Sequence, residues 1–265
     1  ADENISNLIA STGVKLHTNI QDSVVFDKTL RCLVDADVVD LEILYDNLAF
    51  SSLYEAANRI DVKYILGGQN YQTEGYAMPP SWNWFKYDKK NIYSICKKFG
   101  NFSPKTLPFM GTNDYLYYEY IKGITFIPFL DYYNYEKNNA LDILENDFGY
   151  KRYPYKHYES ILTRFYQAYI LPEKFNIDKR IGHLSNLILT NQLEWNKGYS
   201  ILKESAYPSH EQYLYDKCYF TSRLDLSEAD FNAYLKRTRI EHNYYPSEYN
   251  YWRYLSKIKR YLSLS

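Results

Sequence analysis

The change of pattern near residue 130 limits the fold of this chain more than any other feature. Before it, segments with helical spacing ("SVVFDKTLRCLV", "FSSLYEAANRI", "KKNIYSICKKFG") alternate with strand-like runs ("VKLHTNI", "VKYILGG", "GITFIPFL"). This alternation is typical of a parallel sheet wound with helices. After Asp131 the regular segments are all helical, and Gly, Pro or Asn/Asp/Ser separates most of them. We therefore predict an α/β fold, with a partial parallel-sheet domain at residues 1–130 and an all-helical region at residues 131–265.

Composition places the chain among globular proteins and excludes several function classes. A length of 265 residues with 46% hydrophobic residues can bury one large core or two moderate ones. The net charge of -1 gives no bulk electrostatic reason to expect nucleic acid or an anionic membrane as the main partner. The three cysteines are far apart, so neither a zinc site nor a disulfide framework is predicted. A cytoplasmic protein without a bound structural metal is the simplest interpretation.

Three further features of the sequence bear on the interpretation. The 32 tyrosines fit either a compositional bias or a role in stacking against a ligand. The longest apolar run, "ITFIPFL", is too short to span a membrane. The chain begins with "ADENISNLIAS" and not with Met, so we expect that sequence preceding it has been removed.

The segment "GGQNYQTEGYAMPPSW" at 67–82 is a candidate binding loop. It directly follows the strand-like "KYIL", and ligands of open parallel sheets bind beyond the carboxyl ends of the strands. Its glycines allow close backbone approach, and its polar side chains suit a phosphate, a sugar or magnesium. The members of this set are Gly67, Gly68, Gln69, Asn70, Thr73 and Glu74. The alternative is a polar loop that simply ends in a rigid turn.

Two polar stripes form a second candidate. Glu159, Thr163 and Gln167 have i, i+4, i+8 spacing and would share one helix face, and the next helix carries a comparable stripe made of Lys179, His183, Asn186 and Thr190. Asp178 is a natural N-cap, which puts Lys179 and Arg180 in the first turn. Cations there oppose the helix dipole unless an anion, such as a bound polyphosphate, lies nearby. The alternative is two solvent-facing stripes, with Glu173 or Asp178 pairing the cations.

Three weaker signals have structural alternatives. Lys156 and His157 could contact phosphate or move a proton, or could cap and pack a helix start. His17, on a predicted strand, has a structural interpretation. The terminal "YNYWRYLSKIKRYLS" interleaves aromatic and basic residues, as nucleic-acid-binding and membrane-surface segments do. We expect instead a docking helix with Tyr254, Ile258 and Tyr261 directed inward.

Two blocks together resemble the N-acetyl sugar amidotransferase family, the PP-loop enzymes of lipopolysaccharide and flagellin-sugar biosynthesis. The blocks are "YILGGQNYQTEGYAMPPSWNWFKYDKKNI" and "KHYESILTRFYQAYILPEKFNIDKRIGHLSNLILTNQ", and the resemblance covers roughly residues 10–195. It implies a nucleotide-binding α/β domain of the adenine nucleotide alpha hydrolase (HUP-like) type followed by helices. The common GxSxG, HExxH, GKS and GxGxxG motifs are missing from the sequence.

The resemblance also implies a reaction. ATP would adenylate the acetamido oxygen of a nucleotide-linked sugar, and ammonia would then replace AMP to give an acetamidino group. The sugars would be those of surface polysaccharides such as O-antigen, or flagellin sugars such as pseudaminic acid. ATP and magnesium are the implied cofactors. Ammonia would come from a glutaminase pair resembling the histidine-pathway subunits, and neither nucleic acid nor a membrane is an expected partner.

Site residues follow from the same resemblance. The implied catalytic residues are Lys179 or Arg180, on the pyrophosphate, and Glu74, on magnesium or substrate. The implied binding residues are Gly67, Gly68, Asn70, Thr73, Lys156, His157, Glu159, Thr163, Arg164 and His183.

The sequence departs from the family pattern at one important place. An SGGxDS-like PP-loop and a cysteine cluster should come before the resembling blocks, and the sequence contains neither. We expect an N-terminally truncated enzyme. The alternatives are a non-catalytic module that binds a nucleotide-sugar or a partner, and a PP-loop enzyme that modifies tRNA, which should carry a strongly basic surface.

Overall fold

The structure is a computed structural model that describes residues 2–79, 81–153 and 159–263, apart from the side chains of residues 259 and 261–263. It is 61% helical, with a small two-stranded parallel sheet. The chain forms two compact units, each assembled from three segments. Unit 1 consists of Ala1–Ile20, Leu66–Met78 and Ile127–Phe220, and unit 2 of Gln21–Ile65, Pro79–Phe126 and Thr221–Ser265. The boundary at residue 130 stays a prediction, and each unit draws residues from both sides of it.

The helices of the described chain are numbered in sequence order. They are α1 (Asp2–Thr12), α2 (Ser23–Asp35), α3 (Ile43–Arg59), α4 (Tyr71–Glu74), α5 (Lys89–Phe99), α6 (Thr112–Leu116), α7 (Lys137–Phe148), α8 (Ile161–Phe165), α9 (Leu171–Phe175), α10 (Lys179–Leu189), α11 (Trp195–Lys203), α12 (His210–Arg223), α13 (Glu228–Lys236) and α14 (Tyr249–Ser263). The strands are β1 (Tyr64–Gly67) and β2 (Thr125–Pro128). Helices α2, α3, α5, α6, α13 and α14 belong to unit 2, and most of the others belong to unit 1.

Several helix ends lie where sequence punctuation predicts them. Helix α1 ends at Thr12, and Gly13 takes the left-handed conformation with φ +66. Asp178 caps α10, because its side chain accepts a hydrogen bond from the backbone N–H of Arg180 at 2.9 Å. Helices α7–α14 all lie after Asp131, which agrees with the helical region predicted there.

The sheet is much smaller than the sequence suggests. Strands β1 and β2 form where "VKYILGG" and "GITFIPFL" predict them, but each has only four residues. The strand predicted at "VKLHTNI" is wrong: residues 14–20, including His17, have no regular structure and are exposed. An isolated strand without a buried face or a partner is not stable. The parallel pair is compatible with an α/β class, and the PP-loop domain stays a prediction.

Aromatic packing in unit 2 accounts for part of the high tyrosine content. Tyr54 stacks on Tyr118 with ring centroids 5.6 Å apart, and Tyr87 stacks on Tyr115 at 4.5 Å. Burial raises the pKa of Tyr54 to about 12. These rings surround the buried Met110 and other apolar residues of the same core. These tyrosine rings pack in the core as phenylalanine rings would.

A buried ionic cluster lies beside this core. The Lys86 ammonium contacts the Asp40 carboxylate at 2.6 Å and the Asp46 carboxylate at 2.9 Å. Asp40 is fully buried and also accepts a hydrogen bond from the backbone N–H of Trp84 at 2.7 Å. Burial alone would lower the pKa of Lys86, but the two carboxylates raise it above its ordinary value. The fully buried charge of Asp40 is therefore paired with Lys86, as burial requires, and the second carboxylate, Asp46, is partly exposed.

His242 lies against the same cluster, and its imidazole ring is neutral. Its Nε2 lies 3.3 Å from the backbone N–H of Asp40, which can only donate, so Nε2 is the acceptor. Nδ1 must then carry the proton and donate to Asn91 Oδ1 at 2.8 Å. Asn91 donates in return to the His242 carbonyl at 2.9 Å, and the Trp84 ring stacks on the imidazole at 5.2 Å. Burial lowers the pKa of His242 to about 4.

In unit 1, α8 and α9 form one continuous helix with a π-helical turn, Tyr166–Ile170, between them. Arg164, in α8, forms a buried ion pair with Asp216, in α12. Arg164 Nε and Nη2 each contact a different oxygen of the Asp216 carboxylate at 2.6 Å. Gln212 donates to the same carboxylate at 2.9 Å. This bidentate pair ties α8 to α12.

Helix α14 packs differently from our expectation. Trp252 is the inward residue, and its ring lies 4.9 Å from that of Phe85 and 5.4 Å from that of Tyr115. Tyr254 and Ile258 are instead 64% and 40% exposed, so their predicted inward direction is wrong. The side chain of Tyr261 lies outside the described residues. No helix in the described parts of the chain is long and apolar enough to cross a membrane.

Candidate functional site

The candidate site lies in unit 1, where β1 and β2 reach their carboxyl ends. Because the strands are parallel, the loop that follows β1 and the segment that follows β2 leave the sheet at the same edge. This edge is the usual ligand-binding position of open α/β sheets. Two features predicted from the sequence meet here, namely the part of the 67–82 segment that lies in unit 1, residues 67–78, and the polar stripe of α10.

The loop after β1 folds into the short helix α4. Asn70 is its N-cap, and its side-chain oxygen accepts hydrogen bonds from the Thr73 backbone N–H at 2.8 Å and the Thr73 hydroxyl at 3.0 Å. Asn70 and Thr73 therefore shape the loop. A Cβ built on Gly68 would meet nothing within 4 Å, so the space beside this residue is open.

Helix α10 holds this loop through its polar stripe. The buried Asn186 side chain donates to the carbonyls of Tyr71 at 3.1 Å and Gln72 at 2.7 Å, and the Thr190 hydroxyl also donates to Gln72 at 2.9 Å. One helical turn away, the Tyr76 ring covers Gly182, where a built Cβ would lie 2.4 Å from the ring. The stripe predicted on α10 thus faces protein and anchors the loop.

His183 belongs to the same contact. Its Nε2 lies 3.4 Å from the Tyr76 hydroxyl, and the two rings meet edge to face at 5.0 Å. The ring is half-buried against the loop. The structure therefore brings His183 together with the predicted loop residues.

The segment after β2 lies at the same edge of the sheet and contacts the loop after β1. The sequence analysis did not predict this contribution. The Asp131 carboxylate accepts the Tyr71 backbone N–H at 2.5 Å, and Gln72 donates to the Tyr133 carbonyl at 3.1 Å. Gln192, just beyond α10, accepts from the Lys137 N–H at 2.9 Å and donates to the Tyr135 carbonyl at 3.0 Å. The strand-end rule that singled out the loop after β1 would have found Asp131, which follows "ITFIPFL".

The two cations of the first α10 turn have protein partners. Arg180 Nη2 contacts Asp178 at 2.8 Å, and Arg180 Nη1 donates to the Glu204 carbonyl at 3.0 Å. Lys179 is 5% exposed, with its ammonium 5.8 Å from the centre of the Tyr166 ring. The pairing of Arg180 by Asp178 is the structural alternative recognised from the sequence.

The stripe predicted on the preceding helix does not form. Ser160 is the N-cap of α8, so the exposed Glu159 lies before the helix, and the π turn shifts Gln167 out of line with Thr163. Thr163 is half-buried in the first turn. Arg164, predicted to line the site, is buried against Asp216.

The predicted residues Lys156 and His157 lie outside the described residues. Their roles and those of the other site residues stay predictions.

Glu74 is the predicted magnesium contact. It is exposed at the end of α4, and after burial its carboxylate is the second cause that raises the pKa of Tyr135. The described residues include no group of three or more His, Cys, Asp or Glu side chains that could hold a metal ion. Magnesium in nucleotide enzymes commonly uses one or two carboxylates together with substrate phosphates. The role of Glu74 as a magnesium ligand stays a prediction.

Residues 159–259 match the family model described as LPS biosynthesis protein WbpG-like, C-terminal domain. The match includes α8–α13 and most of α14, and the loop at 67–78 lies outside it. Searches of curated proteins and of solved structures found no match. Residues 159–259 thus relate this chain to WbpG-like proteins of lipopolysaccharide biosynthesis, which supports the resemblance to the N-acetyl sugar amidotransferase family.

Proposed function

We propose that the protein takes part in ATP-dependent conversion of an acetamido group on a nucleotide-linked sugar into an acetamidino group. One observation carries the proposal: α10, within the matched region, anchors the loop after β1 at the carboxyl edge of the parallel strands. A region related to lipopolysaccharide biosynthesis is thereby joined to the position where α/β sheets bind nucleotides.

The proposed reaction has two steps. The acetamido oxygen attacks the α-phosphorus of ATP and expels pyrophosphate. Ammonia adds to the resulting imidate carbon, and AMP leaves with the former amide oxygen. The ammonia comes from a partner glutaminase pair. Magnesium bound by the phosphates would neutralise the charge of the departing pyrophosphate.

In this proposal the open space at Gly68 admits the nucleotide-sugar close to the backbone. Lys179 supplies positive charge for the pyrophosphate, with Arg180 as the second candidate. Glu74 supplies a carboxylate for magnesium or substrate.

The test uses an isotope label to follow the oxygen of the acetamido group. The natural protein at its full length is incubated with ATP, magnesium, an ammonium salt that replaces the glutaminase, and UDP-N-acetylglucosamine as the model sugar, with heavy oxygen in its acetamido group. We expect labelled AMP and a sugar in which NH has replaced the oxygen. Label in inorganic phosphate would indicate a different activation, and unlabelled AMP would contradict the proposal.

Variants and binding data separate the alternatives. Lys179→Ala should abolish labelled AMP, whereas Lys197→Ala, at an exposed position of α11, should leave it unchanged. Turnover by Lys179→Ala at the normal rate would end the assignment of Lys179. Calorimetric binding of the sugar nucleotide without ATP dependence or turnover would favour the non-catalytic binding module.

A further inference from the structure

Helix α14 presents a cationic and aromatic surface that the proposed function does not use. The segment contains Arg253, Lys257, Lys259 and Arg260 and no acidic residue, in a chain with a net charge of -1. The rest of the chain is therefore net negative, and positive charge is concentrated on this helix. The Glu248 carboxylate, just before the helix, is occupied by the backbone N–H groups of Thr112 at 2.7 Å and Lys90 at 3.2 Å.

The exposed apolar side chains of α14 form a stripe. Tyr251, Tyr254 and Ile258 have i, i+3, i+7 spacing and are 46%, 64% and 40% exposed. Trp252 points into the aromatic core of unit 2, about a third of a turn away. The helix is thus held by Trp252 and by the Tyr251 hydroxyl, which donates to Asn113 Oδ1 at 3.1 Å, while the exposed parts of the stripe remain at the protein surface.

The exposed cations flank this stripe. Arg253, Lys257 and Arg260 follow i, i+4, i+7 spacing along the other side of the outward face, and all three are exposed. A face with aromatic and aliphatic side chains beside lysine and arginine matches helices that lie in the plane of a membrane interface. Tyrosine rings settle at the level of the headgroups, and the cations bind lipid phosphates.

We propose that the outward face of α14 binds an anionic phospholipid surface, with Tyr251, Tyr254 and Ile258 entering the headgroup region and Arg253, Lys257 and Arg260 contacting phosphates. The proposal is independent of the amidotransferase function. Charge complementarity selects an anionic membrane over a neutral one. The apolar stripe selects a membrane over a nucleic acid, whose backbone offers no apolar layer.

The first experiment is co-sedimentation of the whole protein with vesicles of phosphatidylcholine alone or mixed with phosphatidylglycerol. We expect binding only to the anionic vesicles, and weaker binding at high salt. The triple change Arg253→Gln, Lys257→Gln and Arg260→Gln should lower the partition coefficient on the order of a hundredfold, since each cation contributes roughly a fivefold gain. The matched variant Lys90→Gln, Lys105→Gln and Lys236→Gln, at exposed positions of unit 2, should bind like the wild type.

The second experiment reports insertion directly. Tyr254→Trp places an indole at the exposed stripe, and its emission should shift to shorter wavelength with anionic vesicles only. Failure of the wild type to bind anionic vesicles would overturn the proposal. Equal binding by the two triple variants, or binding of single-stranded RNA without binding of vesicles, would also overturn it.

Discussion

Acidification should destabilise unit 2 through His242. The folded protein holds the imidazole neutral, because Nε2 must accept from the Asp40 N–H while Nδ1 donates to Asn91. Protonation would place a second N–H against a backbone N–H in a site where the ring is 1% exposed. The cost of that protonation is set by the difference between the folded and unfolded pKa values.

Burial lowers the pKa of His242 to about 4, compared with about 6.5 in an unfolded chain. The difference corresponds to about 3 kcal/mol of unfolding free energy. The contribution is fully present above about pH 6.5, where both states are neutral. The contribution to the unfolding free energy falls as the pH drops, because His242 binds a proton in the unfolded chain but stays neutral in the folded protein. The contribution is lost below about pH 4, where the ring is protonated in both states.

The assay is urea unfolding of the wild type and of His242→Gln at about pH 7.5 and about pH 4, with the m-value compared at each pH. Other acidic groups titrate in both proteins, so the difference between the two pH dependences isolates His242. Asp46 and Asp88, whose pKa values burial raises, are among the groups that cancel. The wild type should lose about 3 kcal/mol more than the variant. Equal losses would refute the neutral-ring argument.

Three further changes test the site and its support. Arg164→Met should lower the unfolding free energy by about 3–5 kcal/mol, because Asp216 would stay buried without its cation. The double variant Arg164→Met with Asp216→Leu should recover most of the loss. A single variant Arg164→Met as stable as the wild type in urea would contradict this prediction. Asn186→Asp should cost about 3 kcal/mol, because a carboxylate would face two carbonyl oxygens, and unchanged thermal unfolding at neutral pH would show that the loop is held otherwise. Gly68→Ala should change stability by less than about 0.5 kcal/mol but weaken binding of UDP-N-acetylglucosamine in calorimetry, and unchanged affinity would remove this position from the site.

Local features of the fold could be predicted from the sequence, whereas distant pairings could not. Helical periodicity and punctuation located α2, α5 and α10, because caps and amphipathic spacing are properties of neighbouring residues. The extent of the sheet depends on which segments pair as strands, and residues 14–20 form no strand. His242 and Asn91 are 151 residues apart, and no spacing rule connects them.

The candidate site was partly predictable for the same reason. The strand-end rule located the loop after β1, and Asp178 was recognised as the cap of α10. The prediction of a polar stripe on α8 was wrong because a π turn changes the angular spacing of the residues that follow. No pattern in "ILTRFYQAYI" indicates that turn. The inward face of α14 was misjudged because Trp252 stands next to Tyr251 and near Tyr254, which have similar hydrophobicity, and only tertiary contacts select Trp252.

The interleaving of the two units affects how the chain can fold as it is synthesised. Asn91 leaves the ribosome 151 residues before His242, a delay on the order of ten seconds at usual translation rates. Until then the helices of the first two segments of unit 2 lack the partners that Thr221–Ser265 supplies. Unit 1 can meanwhile assemble from segments that end at Phe220. Unit 2, whose second segment already ends at Phe126, therefore finishes after unit 1, and the apolar surfaces of its first two segments stay uncovered during the interval.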